Sequence, residues 1–230
     1  MLIGIIIYKR GVDMGKEFVE IFEEWADTYD KSIRSDLEYQ EVFRSYDKIL
    51  QEVADRAFGH VLEFGPGTGN LTVKLLHNGL QVTAIEPSQA MLNQMKKKLQ
   101  KKAVIKEGDF LHFDIKEIPC TIVSTYAFHH LTDKEKRKAI EIYSNYLPIG
   151  GKIVFADTMF ASRADYLQTI DQAVKKGYPN LAEDLKREYY TTIPILTEIF
   201  QDNGFTVKFE QFNDFVWIME GIKKGEEDKK

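Results

Sequence analysis

The sequence predicts an α/β protein in which a parallel sheet is covered by helices. Runs of strand-forming residues alternate with amphipathic helical stretches across residues 60–157, and this alternation favours parallel strands joined by right-handed crossovers. A glycine-rich turn at residues 65–69 joins the first of these strands to its helix, and Glu86 and Asp109 follow the next two. Since ligands of such sheets bind outside the carboxyl ends of the strands, the three features indicate one binding edge.

Composition limits the classes of function. With 230 residues, 43% hydrophobic and 29% charged, the chain is a globular protein that can bury a sizeable core. Its net charge of -5 argues against a nucleic-acid partner bound through phosphate neutralisation. The lysines of residues 96–102 close a predicted helix, where cations suit the helix dipole. Cys120 is the sole cysteine, so neither a disulfide within the chain nor a thiolate zinc cluster is expected, which fits a reducing cytoplasm.

The N-terminus predicts neither a membrane span nor a signal peptide. Residues 2–8 are apolar but too few to cross a bilayer, and their charges follow the apolar run, the reverse of the signal-peptide order. Met14 is a natural start for the first amphipathic helix. We therefore interpret residues 1–13 as a mis-assigned start rather than an extra edge segment, and expect a cytoplasmic protein without a membrane partner.

Two helices are predicted before the first strand. Residues 17–29 place apolar side chains on one helical stripe. A second helix opens with the capping box Ser35-x-x-Glu38 and runs to about residue 58. Together they form an N-terminal helical cap over residues 14–58.

The remaining elements follow in order. The helix after the glycine turn closes at Gly79, and a second capping box, Thr132-x-x-Glu135, opens another helix. In chain order, the predicted elements up to residue 157 are strand 81–86, helix 89–101, strand 103–105, strand 121–124, a helix from 132 to about 148 and strand 152–157.

Beyond residue 157 the pattern changes. Two helices, the second opening near Asn180, form an insertion over residues 158–190. A helix over 192–203 follows, and Asn213-Asp214 separates two strands that read as a hairpin. We expect a single domain over residues 14–224, with tails at 1–13 and 225–230.

The glycine turn can hold an anionic group, because glycines allow positive φ and the turn delivers backbone N–H groups to a helix N-terminus. A phosphate-binding Walker loop is excluded because Asn70 follows Gly69. A dinucleotide fingerprint needs glycine at the first, third and sixth positions, and counting from either Gly65 or Gly67 gives Asn70 or Thr72 at the sixth. A tight turn without a ligand remains the alternative.

The pattern Glu63-x-Gly65-x-Gly67-x-Gly69 resembles motif I of class I S-adenosylmethionine-dependent methyltransferases. Four further stretches are similar to the YrrT-type methyltransferases of Gram-positive bacteria: residues 22–30, 85–88, 126–132 and 213–220. Spanning residues 17–223, the resemblance implies a Rossmann-like class I methyltransferase fold. Its seven-stranded, mostly parallel sheet has the order 3-2-1-4-5-7-6, with helices on both faces.

The resemblance also implies S-adenosylmethionine as cofactor, with S-adenosylhomocysteine as product. It places the cofactor's amino acid moiety over the three glycines, the ribose hydroxyls on Glu86 and the adenine amino group on Asp109. For these two acids the alternative is helix capping or a solvated surface position. The other cofactor-binding residues that it implies are Glu63 as loop support, Tyr29 at the carboxylate, and Thr125 and Tyr126 near the methyl group. Tyr29 is equally consistent with a packed aromatic.

His129 and His130 are the candidates for catalysis. Methyl transfer needs mainly orientation and exclusion of water, and a base only where the acceptor loses a proton. The alternative is that the two side chains pack or cap.

A metal is not expected, because the five histidines show no ligand spacing with cysteine and adjacent histidines rarely face one metal. The chain also lacks the Gly-x-Ser-x-Gly elbow of serine hydrolases.

We expect the acceptor to be a small molecule held by the cap, the insertion and the loop after the fourth strand. Aromatic residues there could line its pocket or be ordinary core: Trp25, Tyr29, Phe128, Phe160, Tyr166, Tyr189 and Tyr190. The alternative function is a non-catalytic binding or scaffold protein that keeps the fold. Nicotinamide-dependent reduction is disfavoured by the glycine spacing. The sequence leaves the oligomeric state open.

Overall fold

The structure, a computed structural model, describes residues 36–225. Its strands, numbered along the chain, are β1 (His60–Phe64), β2 (Gln81–Glu86), β3 (Val104–Glu107), β4 (Thr121–Thr125), β5 (Lys152–Thr158), β6 (Phe205–Gln211) and β7 (Val216–Lys223). Its α-helices are α1 (Tyr46–Arg56), α2 (Asn70–His77), α3 (Gln89–Leu99), α4 (Asp133–Tyr146), α5 (Arg163–Lys175), α6 (Pro179–Arg187) and α7 (Ile193–Asp202). A 3₁₀ turn covers Phe128–His130.

The strands form one seven-stranded sheet in the order β3-β2-β1-β4-β5-β7-β6. Neighbours from β3 through β5 are parallel, whereas β7 is antiparallel to both β5 and β6. The predicted strand order and closing hairpin are therefore confirmed. The chain reverses its winding direction between β1 and β4, so the ends of these two strands flank the crevice where ligands of open sheets bind.

Strand residues alternate between two apolar layers because successive side chains point to opposite faces of a sheet. Val61 on β1 packs with α1 and α2 on one face, whereas its neighbour Leu62 packs with α4 and α7 on the other. All four of the last β1 residues are buried, which is typical of a central parallel strand. Helices thus cover both faces, as expected.

Local signals set several element ends. The predicted capping box is present, with the Thr132 hydroxyl accepting from the Glu135 N–H and the Glu135 carboxylate accepting from the Thr132 N–H. Helix α3 ends at Leu99, two residues before the predicted end, because Gln100 and Lys101 adopt positive φ of 46° and 68°. A left-handed residue cannot continue a right-handed helix.

The predicted helix over residues 35–58 is wrong in its first half. Residues 36–45 form turns, and the helix begins only at Tyr46, after Ser45 in the left-handed region with φ 66°. Glu38, assigned to an N-terminal capping box, instead caps helix α6 by accepting hydrogen bonds from the N–H groups of Asn180 and Leu181, at 2.8 and 3.2 Å. A tertiary contact therefore overrides the local pattern.

The other predictions for the cap lie outside the described residues: the first helix, Ser35, Trp25 and Tyr29. Between residues 36 and 225, no helix combines the length and apolar character needed to cross a bilayer.

Candidate active site

The glycine turn presents bare backbone at the carboxyl end of β1. Gly65, Gly67 and Gly69 all have positive φ, of 61°, 55° and 87°, and Gly69 caps helix α2. A Cβ at Gly65 would lie 2.7 Å from that of Ala127, so the turn touches the loop after β4. At Gly67 a Cβ would meet no heavy atom within 4 Å among the described residues. The turn is therefore tight on one side and open to a ligand on the other.

Glu63, on β1, connects the strand before this turn to the helix after it. Its side chain is buried, and its Oε2 accepts a 2.6 Å hydrogen bond from the Thr72 hydroxyl on α2. Its other oxygen, Oε1, is buried without a hydrogen-bond partner within the described part of the chain. Burial, assisted by the nearby charge of Glu86, raises the pKa of Glu63 to about 8. Glu63 is therefore largely protonated at neutral pH.

Glu86, the last residue of β2, lies against the same turn. Its Oε2 accepts a 3.0 Å hydrogen bond from the Gly67 N–H, and its Oε1 accepts one of 2.9 Å from the Ser88 N–H. Only 4% of the residue is exposed. The structure thus joins two of the residues that the sequence assigned to one site.

Asp109 follows β3, as predicted, and its carboxylate has a local role. Oδ1 accepts hydrogen bonds of 2.8 Å from the N–H groups of both Leu111 and His112. Its side chain is 38% exposed, and its hydrogen bonds close a turn in a segment that contains no helix. An exposed carboxylate retains acceptor capacity for another donor, so the adenine contact stays a prediction.

The loop after β4 carries Thr125 and Tyr126, which were predicted to lie near the methyl group. Tyr126 has a positive φ of 53°, which is uncommon outside glycine, and its ring lies 5.3 Å from Phe43 and 5.4 Å from Tyr46. Backbone strain of this kind concentrates at functional sites. Together with the contact between Ala127 and Gly65, this places the loop beside the glycine turn.

Both predicted catalytic histidines lie in a mostly buried polar cluster, defined as His129, His130, Asp157 and Glu188. Nδ1 of His129 lies 2.6 Å from Oδ1 of Asp157, whose Oδ2 accepts a 2.9 Å hydrogen bond from the His129 N–H. Nδ1 of His130 lies 2.9 Å from Oε2 of Glu188, and Nε2 of His129 lies 3.6 Å from the same oxygen. One carboxylate oxygen therefore faces both rings.

The pKa values of the two histidines shift in opposite directions. Burial disfavours a charged His129, but the charge and hydrogen bond of Asp157 outweigh it and raise the pKa of His129 above its ordinary value. Burial, with the neighbouring His129, lowers the pKa of His130. Against the cost of burial, their histidine partners hold the pKa values of Asp157 and Glu188 below the usual range. His129 is the more basic ring and is oriented by Asp157 as in histidine–carboxylate dyads.

Two contacts fix the insertion onto the cluster. The Tyr189 N–H donates a 3.1 Å hydrogen bond to the carbonyl of His129. The buried Lys136 ammonium donates to the carbonyls of Leu131 and Tyr189, the latter at 2.6 Å, and burial lowers the pKa of Lys136 to about 8. The loop after β4 and the end of the insertion are thus joined by one backbone hydrogen bond and by the Lys136 side chain, which bonds to both.

The predicted aromatic lining divides into two groups. Phe128, Phe160 and Tyr166 are buried in the core, and the Tyr166 hydroxyl donates to the carbonyl of Leu185 at 2.7 Å. Tyr190 instead stacks on His129, with ring centroids 5.0 Å apart and planes at 28°. Tyr190 is therefore in direct ring contact with the histidine cluster.

Sequence reasoning missed Asp157, Glu188 and Lys136 as site residues. Asp157 lies near the carboxyl end of β5, just as Glu86 ends β2, so the strand-end rule that singled out Glu86 could have found it. Glu188 follows helix α6 in the insertion, 58 residues after His130. No motif marks it, because only the docking of the insertion brings it to the rings.

The described residues fit a nucleoside cofactor that bears an amino acid group. The exposed backbone of Gly67 can approach a ligand closely. Glu86 offers two acceptor oxygens for vicinal hydroxyls. Gly67 follows β1 at the switch point between β1 and β4, and Glu86 ends the adjacent strand β2, at the edge where ligands of such sheets bind.

The sheet order and the glycine turn together define a class I methyltransferase, a fold whose members use S-adenosylmethionine. A family model described as a methyltransferase domain matches residues 61–151. The chain is 54% identical over 92% of its length to an uncharacterized methyltransferase of Geobacillus sp. (strain WCH70), all of which is covered. The same figures hold for an uncharacterized methyltransferase of Bacillus thuringiensis (strain Al Hakam). The chain belongs to this methyltransferase family.

Solved structures agree with the fold. Magnesium protoporphyrin IX methyltransferase from Synechocystis PCC 6803, determined with bound S-adenosylmethionine, superposes with a TM-score of 0.68 at 13% identity, covering 94% of this chain and all of that one. The glycopeptide N-methyltransferase MtfA with S-adenosylmethionine gives 0.59 at 18% identity, over 78% and 87% of the two chains. At these identities the likeness concerns the fold.

Proposed function

We propose that this protein transfers the methyl group of S-adenosylmethionine to a small-molecule acceptor. The observation that carries the proposal is the Glu86 carboxylate bonded to the bare backbone of Gly67 at the switch point of the sheet. A small acceptor is supported by the enclosure of the histidine cluster, whose rings are only 12% and 15% exposed under the insertion. The net charge of -5 disfavours nucleic acid.

The proposed cofactor contacts follow the strand ends. The glycine turn holds the amino acid moiety, with protonated Glu63 beneath it, Glu86 accepts from the ribose hydroxyls and Asp109 accepts from the adenine amino group. Tyr29, Thr125 and Tyr126 complete the site at the carboxylate and the methyl group. The sulfonium supplies an electrophilic methyl group, so the chain has to orient the acceptor and exclude water.

His129 and His130 are the proposed acceptor-activating residues. With Nδ1 held by Asp157, the Nε2 of His129 is the atom that can take a proton from an acceptor. The stacked Tyr190 ring restricts how an acceptor reaches that atom. Such assistance is required for a hydroxyl, a thiol or an ammonium group, each of which loses a proton on methylation.

The cofactor is tested by calorimetric titration with S-adenosylmethionine, S-adenosylhomocysteine and NADH. We expect micromolar binding of the first two and none of NADH, because the glycine spacing does not match a dinucleotide loop. A folded protein that binds neither S-adenosyl compound would contradict the proposal. The acceptor is then sought by incubating the protein with methyl-labelled cofactor and a metabolite extract.

The alternative, a non-catalytic protein that keeps the cofactor site, predicts cofactor binding without label transfer. The double variant His129→Asn and His130→Asn separates the two functions. We expect it to bind cofactor normally and to lose most label transfer. Normal turnover in that variant would remove both histidines from catalysis. We further propose a cytoplasmic, single-domain enzyme.

A further inference from the structure

We propose that His129, His130 and Glu188 bind one divalent transition-metal ion of the Zn²⁺ type, with a coordination position left for the acceptor. One ligand atom from each of the three residues lies within 4.8 Å of the other two. Two nitrogens and one carboxylate oxygen are a donor set that suits Zn²⁺ and its first-row neighbours. The role of the ion toward an acceptor rests on the proposed function, whereas its binding does not.

Two of the three distances between ligand atoms are close to those of a metal polyhedron. With metal–ligand bonds of about 2.0–2.1 Å, ligand atoms lie about 2.9 Å apart at octahedral corners and about 3.3 Å apart at tetrahedral corners. The carboxylate oxygen of Glu188 lies 2.9 Å from the His130 nitrogen and 3.6 Å from the His129 nitrogen. These two distances therefore lie within a few tenths of an ångström of ideal values, and the third ligand atom pair needs side-chain rotation within the 4.8 Å limit.

The surroundings match those of a metal-binding histidine. Nδ1 of His129 is held 2.6 Å from Oδ1 of Asp157, which leaves Nε2 as the ligand atom. A carboxylate behind a ligating imidazole fixes its tautomer and orientation, and such partners tune metal affinity. Asp157 and Glu188 also supply two negative charges, with Lys136 and Arg187 as nearby cations and Nη2 of Arg187 3.8 Å from Oε1 of Glu188.

The backbone holds the ligands in place before any ion arrives. His129 and His130 belong to one 3₁₀ turn, and the Tyr189 N–H bonds the carbonyl of His129, which fixes the residue next to Glu188. The adjacent position of the histidines suggested from sequence that they would not share a metal. The 3₁₀ turn brings their ring centroids within 4.2 Å, so the two rings can serve one centre.

The ion would promote deprotonation of the acceptor in the proposed reaction. An acceptor hydroxyl or thiol at the remaining position loses its proton to solvent more readily beside the cation. In the transfer, a bond forms between the acceptor atom and the methyl carbon, the bond from that carbon to sulfur breaks, and its electron pair stays on sulfur as S-adenosylhomocysteine. On this proposal His129 acts as a ligand rather than as the base itself.

The test uses the full chain stripped with a chelator and titrated with ZnCl₂ in a calorimeter, with bound metal counted by elemental analysis after dialysis. We expect one ion per chain at micromolar or lower Kd, and a Co²⁺-loaded sample that shows ligand-field absorption. Glu188→Gln and His130→Asn should each weaken binding at least tenfold, and Asp157→Asn about 10–100-fold. Glu183→Gln, an exposed acid on the same helical insertion, is the matched control and should bind as the wild type does.

The absence of stoichiometric binding in the wild type would overturn the inference, as would unchanged affinity in folded Glu188→Gln and His130→Asn. Full label transfer by chelated protein would overturn the role of the ion toward the acceptor, while leaving the proposed function intact. Failure of the proposed function itself is recognised separately, because S-adenosylmethionine would then not bind either the stripped or the metal-loaded protein.

Discussion

The backbone N–H of Gly67 donates a 3.0 Å hydrogen bond to Oε2 of Glu86. The acid at the end of β2 therefore fixes the glycine turn after β1, and a single carboxylate links two parts of the predicted cofactor site. Any ribose hydroxyl that binds Glu86 also meets a group already oriented by the turn. Removing the carboxylate should therefore affect both ligand contact and loop order.

We expect Glu86→Ala to weaken S-adenosylmethionine binding by about 1–3 kcal/mol, the scale of a lost buried hydrogen-bond partner. Glu86→Gln keeps an acceptor for the Gly67 N–H and should lose less. Calorimetry on both variants measures the difference. Glu107→Ala is the control, because this register neighbour of Glu86 on β3 is exposed. Equal affinity in wild type and Glu86→Ala would disprove the ribose role.

Asp109→Ala should weaken cofactor binding by about 1–3 kcal/mol if the carboxylate accepts from adenine. Because its Oδ1 also accepts from the N–H groups of Leu111 and His112, the variant should in addition lower the melting temperature. Asp109→Asn retains the turn contacts and separates these effects. If Asp109→Asn binds cofactor as the wild type does while Asp109→Ala does not, the residue only shapes the turn.

Glu63 should make stability fall as pH rises. Its folded pKa of about 8 lies above the ordinary value of 4.5, so between these values the folded chain retains a proton that the unfolded chain has released. The free energy of unfolding then decreases by up to about 1.4 kcal/mol per pH unit. Denaturant titrations at several pH values from 5 to 8 give the free energy of unfolding at each pH. This free energy should fall less steeply with pH in Glu63→Gln than in wild type or Glu107→Gln. The same pH dependence of the free energy of unfolding in Glu63→Gln and wild type would mean that Glu63 is ionised in the folded protein.

Gly65→Ala should destabilise the protein more than Gly67→Ala. Both changes force alanine into the left-handed region, at about 1–2 kcal/mol. At Gly65 the new methyl group also overlaps Ala127, at 2.7 Å, which adds about 1–3 kcal/mol of overpacking. Adding Ala127→Gly should recover part of this second loss, as measured by urea unfolding. Equal losses of stability in Gly65→Ala and Gly67→Ala would show that the backbone at Gly65 can shift to relieve the overlap without cost.

Predictability from sequence followed the source of the stabilising contacts. The parallel strands were predictable because strands such as β1 are buried runs, and helix α4 because Thr132 and Glu135 satisfy each other locally. The conformation of residues 36–45 was not predictable, because the Glu38 carboxylate accepts a hydrogen bond from helix α6, 142 residues further along the chain. Contacts between distant segments leave no periodic trace in the chain.

The site shows the same division. Strand-end positions identified Gly67 and Glu86, which the structure joins, whereas the roles assigned to Asp109 and the histidines stay predictions. Glu188 could not have been assigned, because its position against His129 and His130 depends on how the insertion docks. The aromatic residues were ambiguous in sequence because core and pocket require the same side chains.

Residues 36–45 are held by side-chain contacts to the insertion and to the turn between β6 and β7. Lacking a helical hydrogen-bond ladder, they are held where Glu38 caps α6, where Tyr39 donates to Asp184, and where Lys176 pairs with Glu41 at 2.7 Å. The Asn213 amide also donates to the carbonyls of Val42 and Arg44 at 3.0 and 2.8 Å, so the order of this segment comes from tertiary contacts. A change that undocks the insertion should therefore also loosen residues 36–45, which lie far from it along the chain.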